Sequence, residues 1–110
     1  MRLSAGESQA ILALLGESLG KDGGELFLFG SRIDDKARGG DIDLLLLMDG
    51  SRMAKKWRAK SHLLTAALKM GLGERRIDLS IKTPADCRAD PFWSQVMDNA
   101  VSLGKIGTVR

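Results

Sequence analysis

Residues 29–50 read FGSRIDDKARGGDIDLLLLMDG. The stretch Ile42 to Met48 is too continuously apolar to leave one face wet, so it is expected to be an interior strand of a sheet. Two carboxylates, Asp41 and Asp43, stand at its start, directly behind Gly39-Gly40. Side chains alternate along a strand, so the two acids project from one face, about 7 Å apart along the backbone. Removing an unpaired charge from water costs several kcal/mol or more. Aspartates at the mouth of a core strand therefore require a physical reason.

Outward from this segment the elements follow in order. Upstream, ESQAILALLGESL at 7–19 carries Ile11, Leu12, Leu15 and Leu19 at helical spacing, and KDGG at 21–24 is expected to end that helix. ELFLF at 25–29 reads as a short buried strand running into Gly30. Residues 31–40 form a loop with one helical turn near Asp34 to Arg38. Downstream, DGS at 49–51 is a turn with Ser51 as helix cap. A long helix is expected from there to about Met70, with Met53, Trp57, Leu64 and Leu68 inward. RRIDLSIK at 75–82 alternates, Ile77, Leu79 and Ile81 to one side, Asp78 and Ser80 to the other. TPADCRA reads as a linker. Asp90-Pro91 then caps a last helix whose apolar side is Trp93, Val96, Met97, Ala100 and Val101. The expected order is α-β-β-α-β-α, an α/β (α+β) class in a single domain, 1–110.

Composition narrows the setting. The 110 residues are 44% hydrophobic and 28% charged, an ordinary soluble globular balance with no apolar run long enough to span a bilayer. The N-terminus lacks the order of a signal peptide. Cys87 is the single cysteine, so neither an internal disulfide nor a Cys/His zinc site is expected, and a reducing, cytoplasmic setting follows. The net charge of +3 is concentrated in SRMAKKWRAK, where Arg52, Lys55, Lys56, Arg58 and Lys60 fall close together. That is the pattern of a solvated helix face. A nucleic-acid surface would interleave exposed aromatics, and Trp57, the one available, is spaced as a core anchor.

The chemistry lies in the carboxylates. If the strand of Asp78 pairs beside that of Asp41 and Asp43, three acids share one sheet face. Two unit charges 4 Å apart repel by about 4 kcal/mol at an effective dielectric near 20, and protons or cations relieve this. Oxygen donors without Cys or His suit hard ions such as Mg²⁺. Two such ions held by three acids suit in-line phosphoryl or nucleotidyl transfer. Before them, Gly30 lets backbone approach a phosphate, Ser31 offers hydroxyl and N–H donors, and Arg32 and Arg38 are candidate phosphate clamps. Singly, such residues are common in turns. The combination points to a nucleotide site.

With these residues placed, the chain resembles the minimal nucleotidyltransferase (MNT) domains of the DNA polymerase β-like superfamily. The shared pattern is Gly30-Ser31, a nine-residue spacer, Asp-x-Asp at 41–43, and Asp78 in RRIDLSI. FGSR at 29–32, Ala37-Arg38 and GDIDL at 40–44 match the longer wording, and PFWSQVMDNAVSLG resembles the last helix. Gly40 departs from it, standing where many members have serine. The resemblance implies a nucleotidyltransferase fold with a small mixed sheet, two Mg²⁺ ions (or Mn²⁺) and a nucleoside triphosphate. Asp41 and Asp43 would hold both metals. Asp78 would help hold the metal beside the attacking hydroxyl and take its proton. Gly30 and Ser31 would grip the distal phosphates.

The implied reaction is transfer of a nucleoside monophosphate, AMP from ATP, with release of pyrophosphate. No module for the acceptor is evident, so a partner or second subunit is expected to supply it. Domains of this type pair with small helical HEPN proteins in toxin–antitoxin modules, the MNT protein acting as antitoxin and attaching AMP to a toxin tyrosine. This sequence has no tyrosine, which excludes modification of its own. Two alternatives stand beside this: a non-catalytic antitoxin of the same fold, and nucleotide addition to RNA or a small molecule. The base, the acceptor and the oligomeric state stay open at this level.

Overall fold

The computed structural model describes residues 5–30, 42–73 and 76–106. Ser31, Arg32, Arg38 and Asp41, and the helical turn expected at 34–38, lie outside them. The sheet is built around β2 (Ile42–Met48), which lies between β1 (Gly24–Phe29) and β3 (Ile77–Lys82). β1 pairs with β2 antiparallel and β3 pairs with it parallel, which makes the sheet mixed. The interior position expected from its apolar run is observed: Ile42, Leu44, Leu45 and Leu46 are all fully buried.

One face of the sheet carries the main core. Leu26 and Leu28, the even-numbered residues of β2, and Ile77 and Ile81 meet Ile11, Leu15 and Leu19 of α1 (Ala5–Leu19). The same core takes in Ala54 and Trp57 of α2 (Ser51–Ala59), and Leu64 and Leu68 of α3 (Ser61–Leu72). α1 ends at Gly20 rather than in the KDGG that follows: Gly20 takes φ 63°, a left-handed value that suits glycine. Its N–H bonds the Gly16 carbonyl at 3.1 Å.

Between β2 and the last helix the structure departs from expectation in three places. The single long helix is two, broken at Lys60, whose φ of −110° leaves the helical range. Their packing differs: α2 lies on β3 and β2, and its Arg58 Nε donates to the Ile81 carbonyl at 2.9 Å, whereas α3 packs on α1 as well as on β3. Ser51 is the first helical residue and Gly50 the cap, with no side-chain capping bond. The linker TPADCRA is a short helix, α4 (Pro84–Ala89), opened by a capping box. There the Thr83 hydroxyl accepts from the Asp86 amide at 3.1 Å, and the Asp86 carboxylate accepts from the Thr83 amide at 3.0 Å.

The last helix, α5 (Pro91–Asn99), starts as expected, with the Asp90 carboxylate accepting from the Phe92 amide at 2.9 Å. It stops sooner. Ala100 caps it, and Val101 opens an unforeseen strand, β4 (Val101–Ile106), antiparallel to β1. The observed sheet order is β3-β2-β1-β4. The expected order of elements thus holds through β3 once the long helix is split, and is then extended by α4 and β4. Among the described residues, no helix is long and apolar enough to cross a membrane.

The basic helix face is solvated, as its charge pattern suggests: Arg52, Lys55, Lys56, Arg58 and Lys60 are all exposed. Trp57 is the anchor, 7% exposed. Its indole N–H donates to Asp22 at 2.9 Å, and Lys56 Nζ reaches the same carboxylate oxygen at 2.8 Å. The Lys56 hydrogen bond, then that of Trp57, holds the Asp22 carboxyl below the usual carboxylate range. A carboxylate lowered in the folded state adds stability above its unfolded pKa, about 3.9, and loses it as pH falls through the lower folded value. Asp22→Asn is therefore expected to melt below the wild type at neutral pH. The gap should close as pH drops below about 4. A gap that stays constant through that range in thermal scans would sever Asp22 from the acid limb of stability.

Candidate active site

The opposite sheet face is more thinly covered. It presents the odd-numbered residues of β2, and α4 and α5 lie over it. Leu47, Pro84, Cys87 and Met97 line one cavity there, and the Phe29 and Trp93 rings meet edge to face at 5.5 Å between centroids. α5 has no fully buried residue. The Cys87 thiol is buried, and that burial, with Asp86 nearby, raises its pKa. A raised pKa favours the thiol over the reactive thiolate.

At the end of this face where β2 begins, the two described acids come together. Strand register pairs Phe29 with Asp43 across the antiparallel ladder and Asp43 with Asp78 across the parallel one. Paired residues point to the same side of a sheet, so Phe29, Asp43 and Asp78 form a row across three strands. The Ile42 amide donates to the Arg76 carbonyl at 2.9 Å, which aligns the first residues of β2 and β3. Asp43 is half-buried and Asp78 exposed, so water reaches the pair.

Gly30 follows directly from β1 with φ 75°. A Cβ built on it would fall 2.5 Å from Asp43 Oδ2. Both the left-handed backbone and the close carboxylate therefore demand glycine at this position. The structure sets the Gly30 backbone against the Asp43 carboxylate. An open cleft of about 530 Å³ runs over this row, lined among others by Asp43, Asp78, Thr65, Ser80, Phe92 and Trp93.

These features fit a hard divalent cation. Neighbouring carboxylates on one face offer oxygen donors alone, and the absent side chain at Gly30 leaves backbone close beside them. Among the described residues, no three His, Cys, Asp or Glu side chains gather as a metal-binding group. Asp43 and Asp78 make two, and Asp41, the third expected ligand, lies outside those residues with Ser31, Arg32 and Arg38. The aromatic and hydroxyl lining of the cleft was not foreseen. Trp93 was legible only as an apolar position of the last helix, and Phe29 only as strand. No known protein-family model matches the chain, and a search of curated proteins found no match.

Proposed function

We propose that this protein is a Mg²⁺-dependent nucleotidyltransferase of the minimal type, moving AMP from ATP to a hydroxyl of a partner protein. The observation that carries the reading is the Asp43–Asp78 register pair beside Gly30. It supports a nucleotidyltransferase fold because Gly30 at the end of β1, Asp43 on β2 and Asp78 on β3 become neighbours when these three strands pair in this order. Asp43 and Asp78, with Asp41, would hold the metal ions. Bound there, the ions would supply charge neutralisation for the triphosphate and the leaving pyrophosphate.

The chain's own residues would do the remaining work. Gly30 and Ser31, with Arg32 and Arg38, grip and orient the phosphates. Asp78, at the exposed edge strand, is open to a hydroxyl brought from outside and takes its proton. That hydroxyl comes from another chain, and the resemblance points to a small helical HEPN-type protein, with this chain as its cytoplasmic antitoxin. A second copy of the chain is the other source for an acceptor site.

Melting scans test the nucleotide site directly. A ligand at about 100 times its Kd stabilises the folded state by about 2.7 kcal/mol. For a domain of this size that raises the Tm by about 10 °C. Mg²⁺ with ATP should give a rise of this order, and Asp43→Asn should remove most of it. An equal rise in the variant would place the metal and nucleotide elsewhere.

A further inference from the structure

The carboxylate cleft also has aromatic lining. Phe29, Phe92 and Trp93 line it together with Asp43 and Asp78. Phe92 also lines the adjoining cleft of about 310 Å³, with Phe29, Gly30 and Val96. Phe29 and Phe92 thus both border the two clefts, and Phe92 is the more open, 59% exposed. A large ring left in water at the edge of a site has a physical use, because every planar ligand ring can stack on it.

The surroundings hold this ring in place. Trp93 meets Phe92 edge to face at 5.0 Å between centroids, and Phe29 likewise at 5.5 Å. Lys82 Nζ lies 5.3 Å from the Trp93 centroid. Lys82 shares a strand face with Asp78 and Ser80, so its ammonium covers the indole from the sheet side. Trp93 is half-buried beside these neighbours, and Phe92 is the more open of the two rings. Its backbone is pinned as well, by the Asp90 carboxylate on its own amide. Such a preset ring loses little freedom when something stacks on it.

A ligand that meets both the acids and the rings carries a metal-binding anionic part and a planar ring in one molecule. We propose that Phe92, backed by Trp93, is the seat for the base of the nucleotide whose phosphates would meet the metal ions at Asp43 and Asp78. The assignment rests on the nucleotidyltransferase reading above, and adds to it a specificity-determining residue outside the Gly-Ser and Asp-x-Asp signature.

Calorimetric titration with Mg²⁺-ATP and with Mg²⁺-tripolyphosphate separates base from phosphates. The wild type should bind ATP about tenfold or more tightly than tripolyphosphate, as base–aromatic stacking gives. Phe92→Ala should erase that advantage while leaving tripolyphosphate affinity as it was. Phe92→Tyr, which keeps the ring, should retain it. Because Phe92 is exposed, none of these changes removes core packing, and an unaltered melting curve confirms the fold. Equal affinities in the wild type, or an undiminished preference for ATP in Phe92→Ala, would overturn the seat while the phosphate site stands. Failure of both ligands to bind would overturn the nucleotide site and the seat with it.

Discussion

Asp78→Asn is expected to cut AMP transfer to the partner by about a hundredfold or more, equivalent to about 2.7 kcal/mol of barrier. The fold should be untouched. Asp78 is exposed on an edge strand, Asn has nearly the same shape, and the change removes a like charge paired in register with Asp43. ATP binding should persist through Gly30, Ser31 and the first two acids, because Asp78 is expected to act on the incoming hydroxyl. The measurement is intact-mass spectrometry of the partner after incubation with ATP and Mg²⁺, reading for the mass of added AMP. Full transfer by the variant would remove Asp78 from the reaction. If the wild type leaves its partner unmodified yet still neutralises it, the protein works by contact and the enzymatic reading falls.

Leu44→Ala should destabilise the protein by about 2–5 kcal/mol, the range for a fully buried leucine replaced by alanine. Leu44 is 0% exposed at the centre of β2, paired with Leu28 on one side and Leu79 on the other, and helices α1 to α3 close the core above it. Neighbours held by two ladders cannot collapse into the space, so the cavity persists. Domains of this size have about 5–15 kcal/mol in total, so the loss should lower the Tm by about 10–20 °C. Urea unfolding should show a lower midpoint at an unchanged slope. A loss under about 1 kcal/mol would contradict burial of the even-numbered face of β2.

Much of the site was legible because strand geometry is local. Alternation alone sets Ile77, Leu79 and Ile81 on one side and Asp78 on the other, and the apolar run of 42–48 required an interior strand; both are observed. The helix start at Asp90-Pro91 was equally readable, since a cap and a proline act within one turn. α4 was missed although its signal was present: Thr83, Pro84 and Asp86 make a capping box with proline at the first helical position. β4 had no such signal. Ala100 and Val101 continue the helical spacing of Trp93 and Val96, and a period of 3.6 cannot report that the free edge of β1 offers hydrogen bonds to the next segment.

The amino-acid order by itself determined which residues could be acids on a strand, which glycine must stand before them, and which faces of the helices are apolar. Those properties come from backbone sterics and the hydrophobic period, each acting over a few residues. Only the tertiary structure decided that Asp43 and Asp78, 35 positions apart, are register partners. It alone parted α2 from α3 at Lys60, placed the Gly30 backbone against Asp43, and left the Phe92 ring exposed at the cleft. Each of those depends on which segments pack together. Strand pairing and side-chain contacts between distant parts of the chain are set by the summed burial of the whole core, and no local pattern carries that sum.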